Sequence, residues 1–160
     1  MLPKLNWRSL NGKYYEGPIE EILEEAIQRE YNLGNQLKIC VGTDSQVYKE
    51  KIEYATVVVV LREGRGGFMF IKSDKGHGPI SIKERMLIEV SKSIEIAYKI
   101  CPVLEKYSIG LEVHADINTD PQFKSHPALK EAMGYILGMG YAFKAKPDAF
   151  ASSSCANKVV

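Results

Sequence analysis

The chain has few of the residues that mark a secreted, membrane-bound or polyanion-coating protein. Its three cysteines, Cys40, Cys101 and Cys155, are odd in number and far apart. That argues against a disulfide framework or a zinc site and for buried thiols in a reducing compartment. His77, His114 and His126 show no metal-ligand spacing with them. Lys4 and Arg8 lie near the N-terminus, but no apolar stretch of signal-peptide length follows. No run approaches the ~20 apolar residues of a membrane span. A cytoplasmic protein without membrane contact is expected. Net charge is +1, so there is no global basic field, although a local groove for nucleic acid stays open. Repeats, low-complexity segments and internal linkers are also missing.

What is present is an ordinary globular composition, 45% hydrophobic and 26% charged over 160 residues, enough for one domain with a real core. Residues 1–17 read as a short hairpin or an arm laid over a sheet, with Trp7, Tyr14 and Tyr15 among polar residues. Pro18 opens a helical pattern carried by Ile19, Ile22, Leu23, Ala26 and Ile27, and Gly34 ends it. Lys38–Thr43 and Ile52–Leu61 read as strands. The Val57–Val60 core of the second implies burial on both faces. After a turn at 62–67, Phe68–Lys72 completes an antiparallel meander, and Asp74–Pro79 reads as a flexible loop. Ser81, with Glu84 three residues on, has capping-box spacing for a helix expected to stop at Pro102. Tyr107–Ala115 is a fourth strand, Pro127–Met139 a helix, Tyr141–Lys144 a fifth strand and Ala149–Lys158 a last helix. The order predicts an α/β fold with a mixed five-stranded sheet: a three-strand antiparallel meander, then two crossover-connected strands, flanked by helices.

Three carboxylates stand out. Asp44 ends the apolar run Lys38–Thr43 and Asp116 ends the run Leu111–Ala115. As parallel neighbours these strands would set both side chains at the C-terminal edge of the sheet, where open α/β sheets bind ligands. Adjacent strands lie ~4.8 Å apart, and two carboxylates that close repel unless a proton or a divalent cation intervenes. On the helix between them, Ile82, Met86, Leu87, Val90, Ile94 and Ala97 form an apolar arc, and Glu89 sits at its edge. Glu84 lies opposite and already serves the cap. Blander readings exist for each: turn or cap roles for the aspartates, and for Glu89 a border position paired with Arg85 or Lys92. Asp148 precedes the last helix, where an N-cap role is the simple account.

The segments Val41–Gln46 (VGTDSQ), Ser81–Ala97, Glu112–Asn118 (EVHADIN) and Gly134–Asn157 together resemble the RNase H-like superfamily, and within it the YkuK family of predicted RNase H-like proteins. The resemblance covers nearly the whole chain beyond the first strand and implies one RNase H-like domain over residues 1–160, with 1–36 as N-terminal arm and helix. It implies metal ligands at Asp44, Glu89 or Glu84, Asp116 and Asp148, with Mg²⁺ or Mn²⁺ as cofactor. Ser45 stands where authentic RNase H has Gly, and no histidine lies between the fifth strand and the last helix. Both departures bear on whether an RNA–DNA hybrid is the substrate.

Gln46 and Asn118 each lie two residues beyond an expected ligand and are candidate substrate or water contacts. His77, in Gly76-His77-Gly78, is a loop residue or a mobile phosphate contact, and Lys83 belongs to a basic group before the helix that suits a phosphodiester backbone. Ser152–Ser154 read as a small-residue helix face, since no Ser-His-Asp arrangement accompanies them. Three functions remain in view: a divalent-metal-dependent nuclease, a noncatalytic RNase H-like module that binds nucleic acid or protein, and a structural homo-oligomer joined through its aromatic N-terminal arm.

Overall fold

The computed structural model describes residues 6–115, 127–138, 140–144 and 148–160. A hairpin, β1 (Trp7–Ser9) and β2 (Tyr14–Tyr15), leads into helix α1 (Ile19–Asn32). Three long strands follow, β3 (Leu37–Tyr48), β4 (Lys51–Arg62) and β5 (Gly66–His77). Helix α2 (Ile82–Lys106) then crosses to β6 (Gly110–His114), and α3 (Pro127–Gly138) precedes β7 (Ala142–Lys144). The chain closes with a π-helical turn, Ala151–Ala156, that runs into a short α4 (Asn157–Val159).

These strands form one seven-stranded sheet in the order β2-β1-β5-β4-β3-β6-β7. The meander β3-β4-β5 is antiparallel, and β6 and β7 pair in parallel with β3 and β6. Five strands were expected. The two more come from the N-terminal hairpin, whose Trp7, Arg8 and Ser9 pair with Lys72, Ile71 and Phe70 of β5. Buried Trp7 anchors this hairpin in the core, a gain no local pattern could show.

Two cores flank the sheet. On one face α1 and α2 pack Leu23, Ile27, Ile100 and Leu104 against Ile39, Val41, Val58 and Val60. On the other, Cys40, Val57, Val59 and Ile71 meet Ala151 and Ala156. The valine run of β4 is therefore buried on both sides, as its continuous apolar pattern implies. All three cysteines are free, and Cys40 and Cys101 are buried. No helix among the described residues is long and apolar enough to cross a membrane.

Several boundaries differ from the sequence reading. Asp44 lies within β3, paired with Ala55, because the β3–β4 ladder continues to Tyr48–Lys51. Asp74–Pro79 is not a loop at its start: β5 extends through His77, which pairs with Lys51. Pro102 does not end α2. The helix runs on to Lys106, since buried Val103 and Leu104 belong to the core on the α1 side. The loss of one amide donor at Pro102 is outweighed by that burial, worth about 1.5–3 kcal/mol per large aliphatic side chain. The last helix opens as a π-turn and shortens to Asn157–Val159 as α-helix.

Candidate functional site

Along β3, side chains alternate between the two cores. Ile39 and Val41 face α1 and α2, and Thr43 Oγ1 bonds Ser93 of α2 at 2.7 Å. Cys40 and Gly42 face the C-terminal helical segment. Gly42 has no room for a side chain: a Cβ there would lie 2.5 Å from the Ala151 carbonyl carbon and the Ser152 nitrogen. This close approach brings the far end of the segment over the next residue on that face, Asp44. Asn157 Nδ2 donates to Asp44 Oδ2 at 2.7 Å. The Ser45 backbone N–H donates to Asp44 Oδ1 at 2.9 Å.

Ser45 points the other way, toward α2, and its hydroxyl donates to Glu89 Oε1 at 2.5 Å. Asp44 and Glu89 are both buried, 7% and 6% exposed. The apolar stripe of α2 is rotated from the expected arc. Its buried positions are Glu89, Val90, Ser93, Ile96, Ala97, Ile100, Cys101, Val103 and Leu104, and Ile82 is 70% exposed. Glu89 is thus on the inward face rather than at its border. Glu84 is exposed and closes the capping box with Ser81. Nearby, buried Tyr54 has its phenol pKa raised, first by burial and then by the charge of Glu89, and Lys92 sits 4.9 Å over its ring.

A second polar group lies further back on the Asp44 face. Cys40, Glu112 and His114 have ligand atoms within 4.8 Å of one another, close enough to hold a metal ion. Their hydrogen bonds are already assigned, however. Ala151 N–H donates to His114 Nδ1 at 3.1 Å, so the ring proton belongs on Nε2, which meets Glu112 Oε1 at 2.9 Å. A metal on Nε2 would force that proton onto Nδ1, against the Ala151 N–H. Burial lowers the His114 pKa, with Glu112 only partly opposing it, and burial pushes the Cys40 thiol up to about 12. Lys38 closes the network on Glu112. We read it as an internal brace that seats the C-terminal segment on β6.

Homology decides the frame for this geometry. The model of the family Ribonuclease H-like matches residues 19–160. The chain belongs to the ribonuclease H-like family. It is also similar to an uncharacterized protein of Bacillus subtilis (strain 168), YkuK, at 30% identity over 134 residues, covering 75% of this chain and 77% of that one. The family as a whole is associated with nuclease or nucleic-acid-binding function and commonly uses divalent metals.

Set in this family, the expected site residues are placed as follows. The strands β3 and β6 are parallel neighbours in register Gly42–His114. Asp44 is two residues past the first of that pair and Asp116 two past the second; Asp116, Asn118 and His126 lie outside the described residues. Asp44 and Glu89 are each hydrogen-bonded to Ser45, the first by its backbone N–H and the second by its hydroxyl, from opposite faces of β3. Asp148 is exposed, and it is Asn157, later in the same segment, that reaches Asp44. Gln46, His77 and Lys83 are exposed, the first two on strands and Lys83 in the first turn of α2. Sequence reasoning missed Ser45 as the link between carboxylates and Asn157 as the residue over Asp44. The nearest signal was the Ser in Thr43-Asp44-Ser45, noted as a departure from glycine without a role.

The donor set suits a hard cation. Both oxygens of Asp44 accept only neutral donors, and no basic side chain among the described residues is within ion-pair distance of it. A buried carboxylate so placed is costly until positive charge arrives, and it keeps lone pairs free to meet that charge. A cavity of about 1020 Å³ lies elsewhere. It is an apolar cleft between the N-terminal hairpin and the C-terminal segment, lined by Leu10, Phe68, Met69 and Phe150 and by neither Asp44 nor Glu89.

Proposed function

We propose that this protein is a divalent-metal-dependent phosphodiesterase that hydrolyses nucleic acid, with Asp44, Glu89 and Asp116 as ligands for Mg²⁺ or Mn²⁺. One observation supports the reading: two buried carboxylates, Asp44 and Glu89, both accept hydrogen bonds from Ser45, just beyond the described end of the β3–β6 pairing on the β3 side. Oxygen-only ligands match these two ions better than softer metals. When bound, a pair of such ions supplies an activated water and charge stabilisation for the leaving oxygen. The chain's own part is positional. Ser45 fixes one oxygen of each carboxylate, Asn157 orients the other oxygen of Asp44, and burial strengthens the field of both. The N-terminal hairpin's pairing with β5 supports a single domain over residues 1–160, and we place the protein in the cytoplasm.

The test is cleavage of labelled single strands, duplexes, hybrids and branched DNA with Mg²⁺ or Mn²⁺. Cleavage should stop with chelator and fall at least a hundredfold in Asp44→Asn and Glu89→Gln, each still folded by circular dichroism. Chelator-resistant cleavage, or cleavage unchanged in Asp44→Asn, would sink the reading.

A second reading, a noncatalytic nucleic-acid-binding module, is favoured by one observation. The side chain from the last helical segment that touches Asp44 is the neutral Asn157, and Asp148 is exposed. A neutral side chain at that place is what a module without catalysis would tolerate. Saturable binding with no turnover on any substrate supports this second reading.

A further inference from the structure

Beyond Asp44, β3, β4 and β5 project as a three-stranded extension that, among the described residues, is covered on one face only. On the α2 side, Ile52 and Tyr54 are 2% and 3% exposed. On the side shared with Asp44, every residue from Gln46 outward is exposed: Gln46 and Tyr48 of β3, Lys51 and Glu53 of β4, Ser73, Lys75 and His77 of β5. The register sets them in rows, Asp44–Ala55–Ser73, then Gln46–Glu53–Lys75, then Tyr48–Lys51–His77. Arg8 of β1 joins the first row, its Nη1 donating to Ser73 Oγ at 2.9 Å. The C-terminal segment covers this face only as far as Asn157 on Asp44.

A solvated antiparallel face is common and needs no ligand. This one differs in two respects. Its cations, Arg8, Lys51 and Lys75, outnumber its carboxylates, Glu53 and, in the first row, Asp44, on a chain whose net charge is only +1. Its outermost row presents Tyr48, 72% exposed, with Lys49 Nζ 5.7 Å from the ring centroid. A lone aromatic beside cations is ordinary protein surface. It is also the combination that holds unstacked bases and their phosphates.

We infer that this bare face is the path of a single strand of nucleic acid, running from Tyr48 across Lys51 and Lys75 to Asp44. Tyr48 lies four residue steps along β3 from Asp44, about 14 Å at ~3.4 Å per residue, so a strand stacked on Tyr48 reaches the carboxylate within a few phosphates. The cations alone suit any phosphate backbone. Tyr48 selects a single strand, because a duplex keeps its bases stacked inside. This inference rests on the nucleic-acid reading of the site and names its substrate class.

The experiment is fluorescence anisotropy with labelled oligo(U), oligo(dT) and a duplex of mixed sequence, in chelator so that binding is read apart from cleavage. Wild type should bind both single strands more tightly than the duplex. Lys51→Gln with Lys75→Gln should weaken binding at least tenfold and reduce the log–log salt slope by about 1.4, at ~0.7 per lysine for a single strand. Tyr48→Ala should weaken single-strand binding on the order of tenfold and Tyr48→Phe should restore it. Glu53→Gln should tighten binding, which a merely structural role would not do. Lys99→Gln, on the far end of α2, should change nothing. A wild type that binds no oligonucleotide at low salt, or binding indifferent to the lysine pair, overturns the proposal. Equal duplex binding with Tyr48→Ala silent overturns the single-strand assignment. If binding follows these residues but nothing is cut with either metal, the strand path stands and the phosphodiesterase reading falls. If cleavage depends on Asp44 while binding ignores all three residues, the path falls and the phosphodiesterase stands.

Discussion

Gly42 and Ala151 are in contact as backbone on backbone: any Cβ at Gly42 would lie 2.5 Å from the Ala151 carbonyl carbon and 2.9 Å from its Cβ. That contact sets the height of the C-terminal segment above β3 and so delivers Asn157 to Asp44. Gly42→Ala should therefore destabilise the fold by about 1–3 kcal/mol, the usual range for overpacking a core. Urea denaturation measures this. A neutral substitution would mean the segment is free to lift, and the Asn157 contact is then not a fixed part of the site.

Metal should stabilise the protein. A ligand that binds only the folded state adds about 2.7 kcal/mol at a hundred times its Kd, read as a rise in Tm with Mg²⁺ or Mn²⁺. Asp44→Asn should shrink the rise while leaving the metal-free Tm equal or higher, because it removes a buried charge that has only neutral partners. Equal metal-induced shifts in both proteins would place the ion elsewhere.

Ser45→Ala removes the hydroxyl from Glu89 and leaves the Asp44 bond to the backbone intact. The cost should be about 1–3 kcal/mol, the desolvation penalty of a buried acceptor that loses a donor. Glu89→Gln in the same background should recover part of it. A double-mutant cycle is the measurement, and a coupling of about 0.5–3 kcal/mol between positions 45 and 89 is expected for residues in contact. Strict additivity would show that the two do not interact in solution.

The brace around Glu112 makes a pH-dependent contribution. Burial alone would raise the Glu112 pKa, but hydrogen bonds from Lys38 and His114 outweigh it and hold it below its ordinary 4.5. A carboxylate with a depressed folded pKa stabilises above its unfolded value and loses that stabilisation as pH falls through the folded value. Lys38, raised chiefly by its bond to Glu112, keeps its share until pH rises past 10.5. Lys38→Gln should thus cost about 0.5–1 kcal/mol at pH 7, small because Lys38 is half exposed. The difference from wild type should fade below pH 4.5. Thermal melts across pH 3–8 test it, and a gap that widens in acid would reverse the assignment.

The sequence alone carried the elements whose signals are local. The valine run of β4, the capping box of α2, the parallel pair ending near Asp44 and Asp116, and the family itself were legible because strand alternation, helix caps and motif order lie within a few residues of one another. Glu89 was picked out by helical period, but its depth was not. The rotation of α2 depends on which of its faces meets β3, and burial of Ser93 against Thr43 settled that over the more apolar arc through Ile82. Pro102 looked like a stop because its missing donor is visible in the sequence, whereas the core that carries α2 past it is not. Asn157 lies 113 residues from Asp44, and only packing of the C-terminal segment on a strand glycine joins them. The bare face beyond Asp44 is likewise a tertiary fact. Alternation along β3, β4 and β5 sorts the side chains into two sets, but only the position of α2 decides which set is left to solvent.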